Sequence, residues 1–186
     1  MFWLLALAIV LVVVWQVTKL AGKDKRATVT KWTMRGGQPR LVDEVFEAST
    51  SGDLSRMLSV LDKPTHPVDH HYLLLSIVEQ TYPRRGDPKM RNLCEEVAWR
   101  HLREFPELAE ALIADDKASG GTGILPQVPT FQKLATLLTQ QERFEEAVNV
   151  CERAIAFGLS DGTKSGYEGR IERIRKKQRR KREEAS

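Results

Sequence analysis

Between residues 39 and 174, apolar positions recur every third and fourth residue, the spacing of a helix stripe; few segments alternate as a half-buried strand does. Pro39 opens a first helix carrying Leu41, Val42, Val45, Phe46 and Ala48, which "SGD" interrupts at Ser51 to Asp53. Asp53 caps a second helix with Leu54, Met57, Leu58 and Leu61. A third spans about 67–81 with Tyr72, Leu75, Ile77 and Val78 inward. Asp87-Pro88 reads as a cap followed by proline at the first helical position, opening a fourth helix with Met90, Cys94, Val97, Ala98 and Leu102. That helix ends before Phe105-Pro106, a shorter one follows over 107–116, and "KASGGTGILPQVP" is a loop. Two strongly periodic segments come next: Phe131, Leu134, Ala135 and Leu138, then Phe144, Ala147, Val148, Cys151, Ala154 and Ile155. Ser165 and Glu168 have capping-box spacing for a last helix, with Tyr167, Ile171 and Ile174 on one face.

The N-terminus departs from this pattern. "MFWLLALAIVLVVVWQVTKL" carries no charge before Lys19. As a helix, its apolar run to Val17 covers about 26 Å, slightly short of a hydrocarbon core of about 30 Å. Trp3 and Trp15 stand near its ends, where indole rings favour the headgroup boundary. A cleaved signal peptide needs a basic segment before the run and small residues at the cut, and neither is convincing. Residues 1–18 therefore read as a transmembrane helix. Lys19, Lys23, Lys25 and Arg26 follow it, which puts the body on the cytoplasmic side of a cell (inner or plasma) membrane as a single-pass protein. Residues 19–38 form a basic juxtamembrane linker. Trp32 beside Lys31 and Arg35 suits contact with the bilayer surface, and a solvated tether suits the composition equally.

Charge sharpens the division. The 186-residue chain has a net charge of +4, yet residues 19–40 carry +6, residues 164–182 carry +8 and the stretch between them −8. An acidic body between basic flanks points to a polyanionic surface, membrane or nucleic acid. Past Ile174 no apolar residue occurs until Ala185, so Arg175, Lys176, Lys177, Arg179, Arg180, Lys181 and Arg182 should project as a cationic rod or frayed tail. Each basic residue near an anionic leaflet contributes about 1 kcal/mol. Nucleic acid is the competing polyanion, although no interleaved aromatics and no nucleic-acid motif accompany the run.

The segment "FQKLATLLTQQERFEEAVNVCERAIAFGL" resembles a tetratricopeptide repeat. Phe131, Leu134, Ala135, Phe144, Ala147 and Ala154 fall in that family's register, while Glu142 stands at its turn glycine and Leu159 at its frequent proline. The clearest repeat is 129–160; earlier hairpins fit as degenerate copies, with Cys94 and His101 at small-residue places. The resemblance implies an all-α fold: a stack of antiparallel helical hairpins over 39–162, then a capping helix and basic tail over 163–186, preceded by the transmembrane helix. It also implies a scaffold or adaptor that binds a partner protein, with Gln132, Thr136, Thr139 and Gln140 facing the groove.

Catalytic chemistry finds little footing. Gly158 and Lys164-Ser165 have phosphate-loop spacing, but Thr163 replaces the second glycine and the preceding segment is a strong helix, where a phosphate loop needs a strand. Gly158 past a helix end and a "SDG" turn explain the same residues. In "HPVDHH", His66 and His70 have a metal spacing, yet Pro67 makes His66 a cap or loop residue and no fourth ligand is evident. Glu95-Glu96 and Glu145-Glu146 are helix-face acids. Cys94 and Cys151 stand far apart on apolar stripes, as small hydrophobes in a reducing compartment. The expectation is a non-enzymatic, cofactor-free and metal-free binding protein.

Overall fold

The computed structural model describes residues 30–185. The transmembrane helix expected over 1–18 lies outside them. Among the described residues, no helix is long and apolar enough to cross a membrane.

The chain is mostly helical. Seven α-helices follow one β-hairpin: α1 Glu44–Ser49, α2 Leu54–Ser59, α3 Pro67–Thr81, α4 Pro88–Ala118, α5 Pro129–Gln140, α6 Phe144–Ala156 and α7 Gly166–Glu184, among the described residues. Most pack on their neighbours in sequence, and α1 packs mainly on α3. α3 lies against α1, α2 and α4, α5 against α4 and α6, and α7 against α6. One continuous core results, centred on Leu73, Leu74, Ile77, Leu102, Phe105, Phe131 and Leu138. Phe105 meets Phe131 and Phe157 edge-on, with centroids 5.1 and 4.9 Å away. Such pairs add roughly 0.5–1.5 kcal/mol beyond area burial.

Several helix ends form as read. Asp53 accepts from the N–H groups of Ser55 and Arg56, and Asp87 from Lys89 with Pro88 opening the helix. Gly158, at φ +67°, lets Leu159 N–H reach Ala154 O and close α6.

Three expectations over residues 32–116 are corrected. The sequence predicts a linker to residue 38 and a helix opening at Pro39. Instead, Trp32–Arg35 (β1) and Gln38–Leu41 (β2) pair antiparallel. Gly36 and Gly37 have φ of +58° and +73°, the two-residue turn that matches strand twist. The first helix starts only at Glu44, because Asp43 supplies the cap through Phe46 N–H at 2.8 Å. In α3, Ile77 and Val78 are buried as expected, but Tyr72 is 43% exposed and Leu75 only half-buried, while Val68, His71, Leu73, Leu74 and Thr81 complete the buried side.

The third concerns Pro106. It was expected to end a helix, yet α4 continues through it for 31 residues. Proline lacks the N–H that would bond Leu102 O. Arg153 of α6 supplies the missing donor, its Nη2 lying 2.5 Å from that oxygen. Phe105, Leu108, Ala109 and Leu112 hold the helix down on both sides of the proline.

Candidate partner-binding cleft

α5 follows the loop after α4, with Pro129 preset for its first turn. Phe131, Leu134, Ala135 and Leu138 turn to the core, which leaves Thr136, Thr139 and Gln140 on the side away from it. α7 lies beside that side. Buried Tyr167 and Ile174, with half-buried Ile171, anchor it, and Arg170, Arg173 and Lys177 recur at helical spacing toward α5.

A cleft of about 280 Å³ lies between the two helices, lined by Thr136, Thr139, Gln140, Arg170, Arg173, Ile174 and Lys177. No carboxylate lines it. Arg170 holds its shape: Nε and Nη2 donate to Asp161 Oδ2 at 3.2 and 3.0 Å, and Nη1 donates to Thr136 Oγ1 at 3.2 Å. The Asp161 side chain is fully buried. Burial opposes its ionisation, but bonds from Thr163 and the Arg170 guanidinium outweigh that and hold its carboxyl below the usual range. Lys177 Nζ lies 3.3 Å from Thr139 O, and Arg173 donates to Ser165 Oγ at 3.0 Å. The two threonine hydroxyls donate back to their own helix, Thr136 to Gln132 O and Thr139 to Ala135 O. Arg170 is thus bound inside the protein, whereas Arg173 and Lys177 each make one hydrogen bond to it and stay exposed.

Of the four residues expected to face a partner, Thr136, Thr139 and Gln140 line this cleft. Gln132 is half-buried one turn earlier, its carbonyl engaged by Thr136. Gln140 also accepts from Arg85 Nε at 3.1 Å. Arg170 and Arg173 were absent from the expected set; their i, i+3, i+7 spacing with Lys177 was the available signal.

The basic run is helical throughout as the continuation of α7. Lys177 turns toward α5, Gln178 donates to Glu145 at 2.8 Å, and Lys181 pairs with Glu142 at 2.8 Å. Arg175, Lys176, Arg179, Arg180 and Arg182 are exposed. Glu142, expected at the family's turn glycine, has φ +61°, the single non-glycine positive φ among the described residues.

The phosphate-loop lookalike is the connection from α6 to α7, and a helix leads into it. The capping box expected of Ser165 does not form. Ser165 has φ −91° and ψ −4° and makes no side-chain cap bond; its hydroxyl receives Arg173 instead. An N-cap oxygen needs extended backbone to reach the N–H two or three residues on.

"HPVDHH" is dispersed. His66 caps α3 through Val68 N–H, His70 Nε2 lies 2.7 Å from Glu104, and His71 enters the core. Among the described residues, no group of three or more His, Cys, Asp or Glu is arranged to hold a metal ion. Inside, His71 Nδ1 lies 2.9 Å from His101 Nε2, and His101 Nδ1 lies 2.9 Å from Thr130 Oγ1. His71 Nε2 has no partner. The tautomers that leave no ring N–H unpaired carry the proton on Nδ1 of both histidines. Burial, then the neighbouring His70, lowers His71 to about 4. Burial and the two other histidines hold His101 well below its ordinary value. Cys94 and Cys151 are buried free thiols, and burial pushes Cys151 up to about 12, far from a reactive thiolate.

No family model, curated protein or solved structure matches the chain.

Proposed function

We propose that the protein is a membrane-anchored helical-repeat adaptor of the tetratricopeptide type, which holds an acidic segment of a partner protein in the cleft between α5 and α7. The observation that carries this reading is the charge of the cleft. Arg173 and Lys177 face α5 across a lining without a carboxylate, with Ile174 between them for an apolar contact. On the other wall, Thr139 Oγ1 keeps acceptor capacity and Gln140 keeps its amide N–H groups, which suits main-chain hydrogen bonding to an extended or helical peptide. The repeat reading draws support from the burial of Phe131, Leu134, Ala135, Phe144, Ala147 and Ala154, and from the left-handed backbone of Glu142 at the turn position. The anchor is residues 1–18, with the body cytoplasmic.

The test is capture in mild detergent by the full chain, with partners identified from the eluate. Arg173→Glu with Lys177→Glu should abolish capture of the partner, while Arg175→Glu with Arg179→Glu should spare it. Equal capture by all three proteins would exclude the cleft. A second reading rests on the exposed Arg175, Lys176, Arg179 and Arg180: a membrane-tethered nucleic-acid binder acting through the tail. It requires the opposite pattern, with RNA or DNA in the eluate and binding that falls steeply with salt.

A further inference from the structure

We infer that the β-hairpin is a second membrane-contact element, which lays Trp32, Met34, Pro39 and Leu41 onto the interfacial layer of the bilayer. The inference rests on the anchor reading of residues 1–18.

The register decides which side chains share a face. Trp32 pairs with Leu41 and Met34 with Pro39, so these four lie together; Thr33 with Arg40 and Arg35 with Gln38 occupy the other face. The polar face is the one turned to the body. Arg35 Nε and Nη2 donate to Asp69 Oδ1 at 3.0 and 2.5 Å, and Asp69 is buried. At the turn, Gly36 N–H donates to Asp115 Oδ1 at 2.5 Å, and Gly37 lies close enough to Ala118 that a Cβ would sit 3.0 Å from its carbonyl oxygen. The hairpin is thus held on α3 and α4 through its charged side, while its apolar side points away. Trp32, Met34 and Leu41 are 62%, 52% and 53% exposed, and Pro39 is exposed beside them.

Scattered exposed apolar residues need no cause, but a contiguous amphipathic ribbon with its apolar face outward does. A bilayer interface fits it better than a protein. A standard protein interface uses roughly 20–30 residues per side, far more than this ribbon presents. Tryptophan beside basic residues is the composition favoured at headgroup level. Residues 19–40 carry +6, with Lys19, Lys23, Lys25, Arg26 and Lys31 all preceding the ribbon. The 13 residues from Lys19 to Lys31 also cap the distance. Fully extended they span about 45 Å, so the ribbon cannot stray beyond that from the end of the apolar segment.

The experiment uses the full chain in vesicles of phosphatidylcholine and phosphatidylglycerol, with lipids brominated near the headgroup or at the chain end. The emission difference between the native chain and Trp32→Phe isolates Trp32 with the other tryptophans in place; the difference against Trp15→Phe isolates the anchor. Trp32 should lose most of its emission to the shallow bromines and little to the deep ones. Met34→Asp with Leu41→Asp, both exposed positions, should cancel that loss. Quenching of Trp15 without quenching of Trp32 would leave the anchor standing and overturn the inference. Absence of quenching at both positions would overturn the anchor and the inference together. A blue-shifted but unquenched Trp32 would mean that protein covers the ribbon, and would likewise overturn it.

Discussion

Arg153 and His71 show how much a single residue of this protein depends on elements distant in sequence. Pro106 leaves Leu102 O without its helical donor, and Arg153 replaces that donor with a charged one. A hydrogen bond to a charged group contributes about 1.5–3 kcal/mol, so Arg153→Met should cost about 2 kcal/mol in denaturant unfolding. Pro106→Ala with Arg153→Met should recover part of the loss, because alanine restores the helical bond. A shallower cost for Arg153→Met than for an exposed arginine such as Arg84 would refute the role. His71 sets a pH dependence. Its pKa is about 4 when folded and about 6.5 when unfolded, so the unfolded chain binds the extra proton as pH falls between those values. Stability is therefore fully present above about pH 6.5 and declines toward about pH 4, by about 2 kcal/mol from about pH 7 to about pH 5. His101 adds to the same slope. Urea midpoints across that interval measure it, and His71→Phe should flatten it.

At the scale of elements, the hairpin and the α5–α6 turn both depend on left-handed backbone. Gly36 and Gly37 each take positive φ, but only Gly37 would bring a Cβ against Ala118. Alanine at either position pays a left-handed cost of about 1–2 kcal/mol. Gly37→Ala should therefore loosen the hairpin more than Gly36→Ala, seen as faster amide exchange at Arg35 and Gln38. At the other turn, Glu142 sits at φ +61° with Lys181 as its exposed partner. Glu142→Gly should raise the melting temperature, since backbone relief outweighs a solvent-screened pair; a fall would mean that the Lys181 contact matters more.

Across the whole molecule, the separation of charge carries the functional reading. The acid-free cleft, the outward basic side of α7 and the apolar face of the hairpin are three distinct surfaces with three different chemistries. Raising salt should weaken contacts made through α7 more than the hairpin contact, because the apolar part of the hairpin contact is not screened. Quenching of Trp32 by lipids brominated near the headgroup, read in the full chain and in a chain truncated after Ile174 at low and high salt, separates the two contributions.

The helical class, the caps at Asp53, Asp87 and Gly158 and the α5–α6 stripe were legible from residue order, because capping and three-and-four spacing are local features. Gly158 and Asp87 acted where local geometry placed them. What stayed hidden depended on neighbours distant in the chain. Pro106 looked like a stop because its compensating donor lies 47 residues on, at Arg153. "WTMRGGQ" reads as linker and "PRL" as the start of a helix because a two-stranded ribbon has so short a pattern, and its polar face inward inverts the usual rule. The tertiary structure alone decided that Asp69 would draw Arg35 to the body and turn tryptophan outward. Only packing, too, could bring α7 beside Thr136 and Thr139, making a charged cleft from two faces that residue order presents separately.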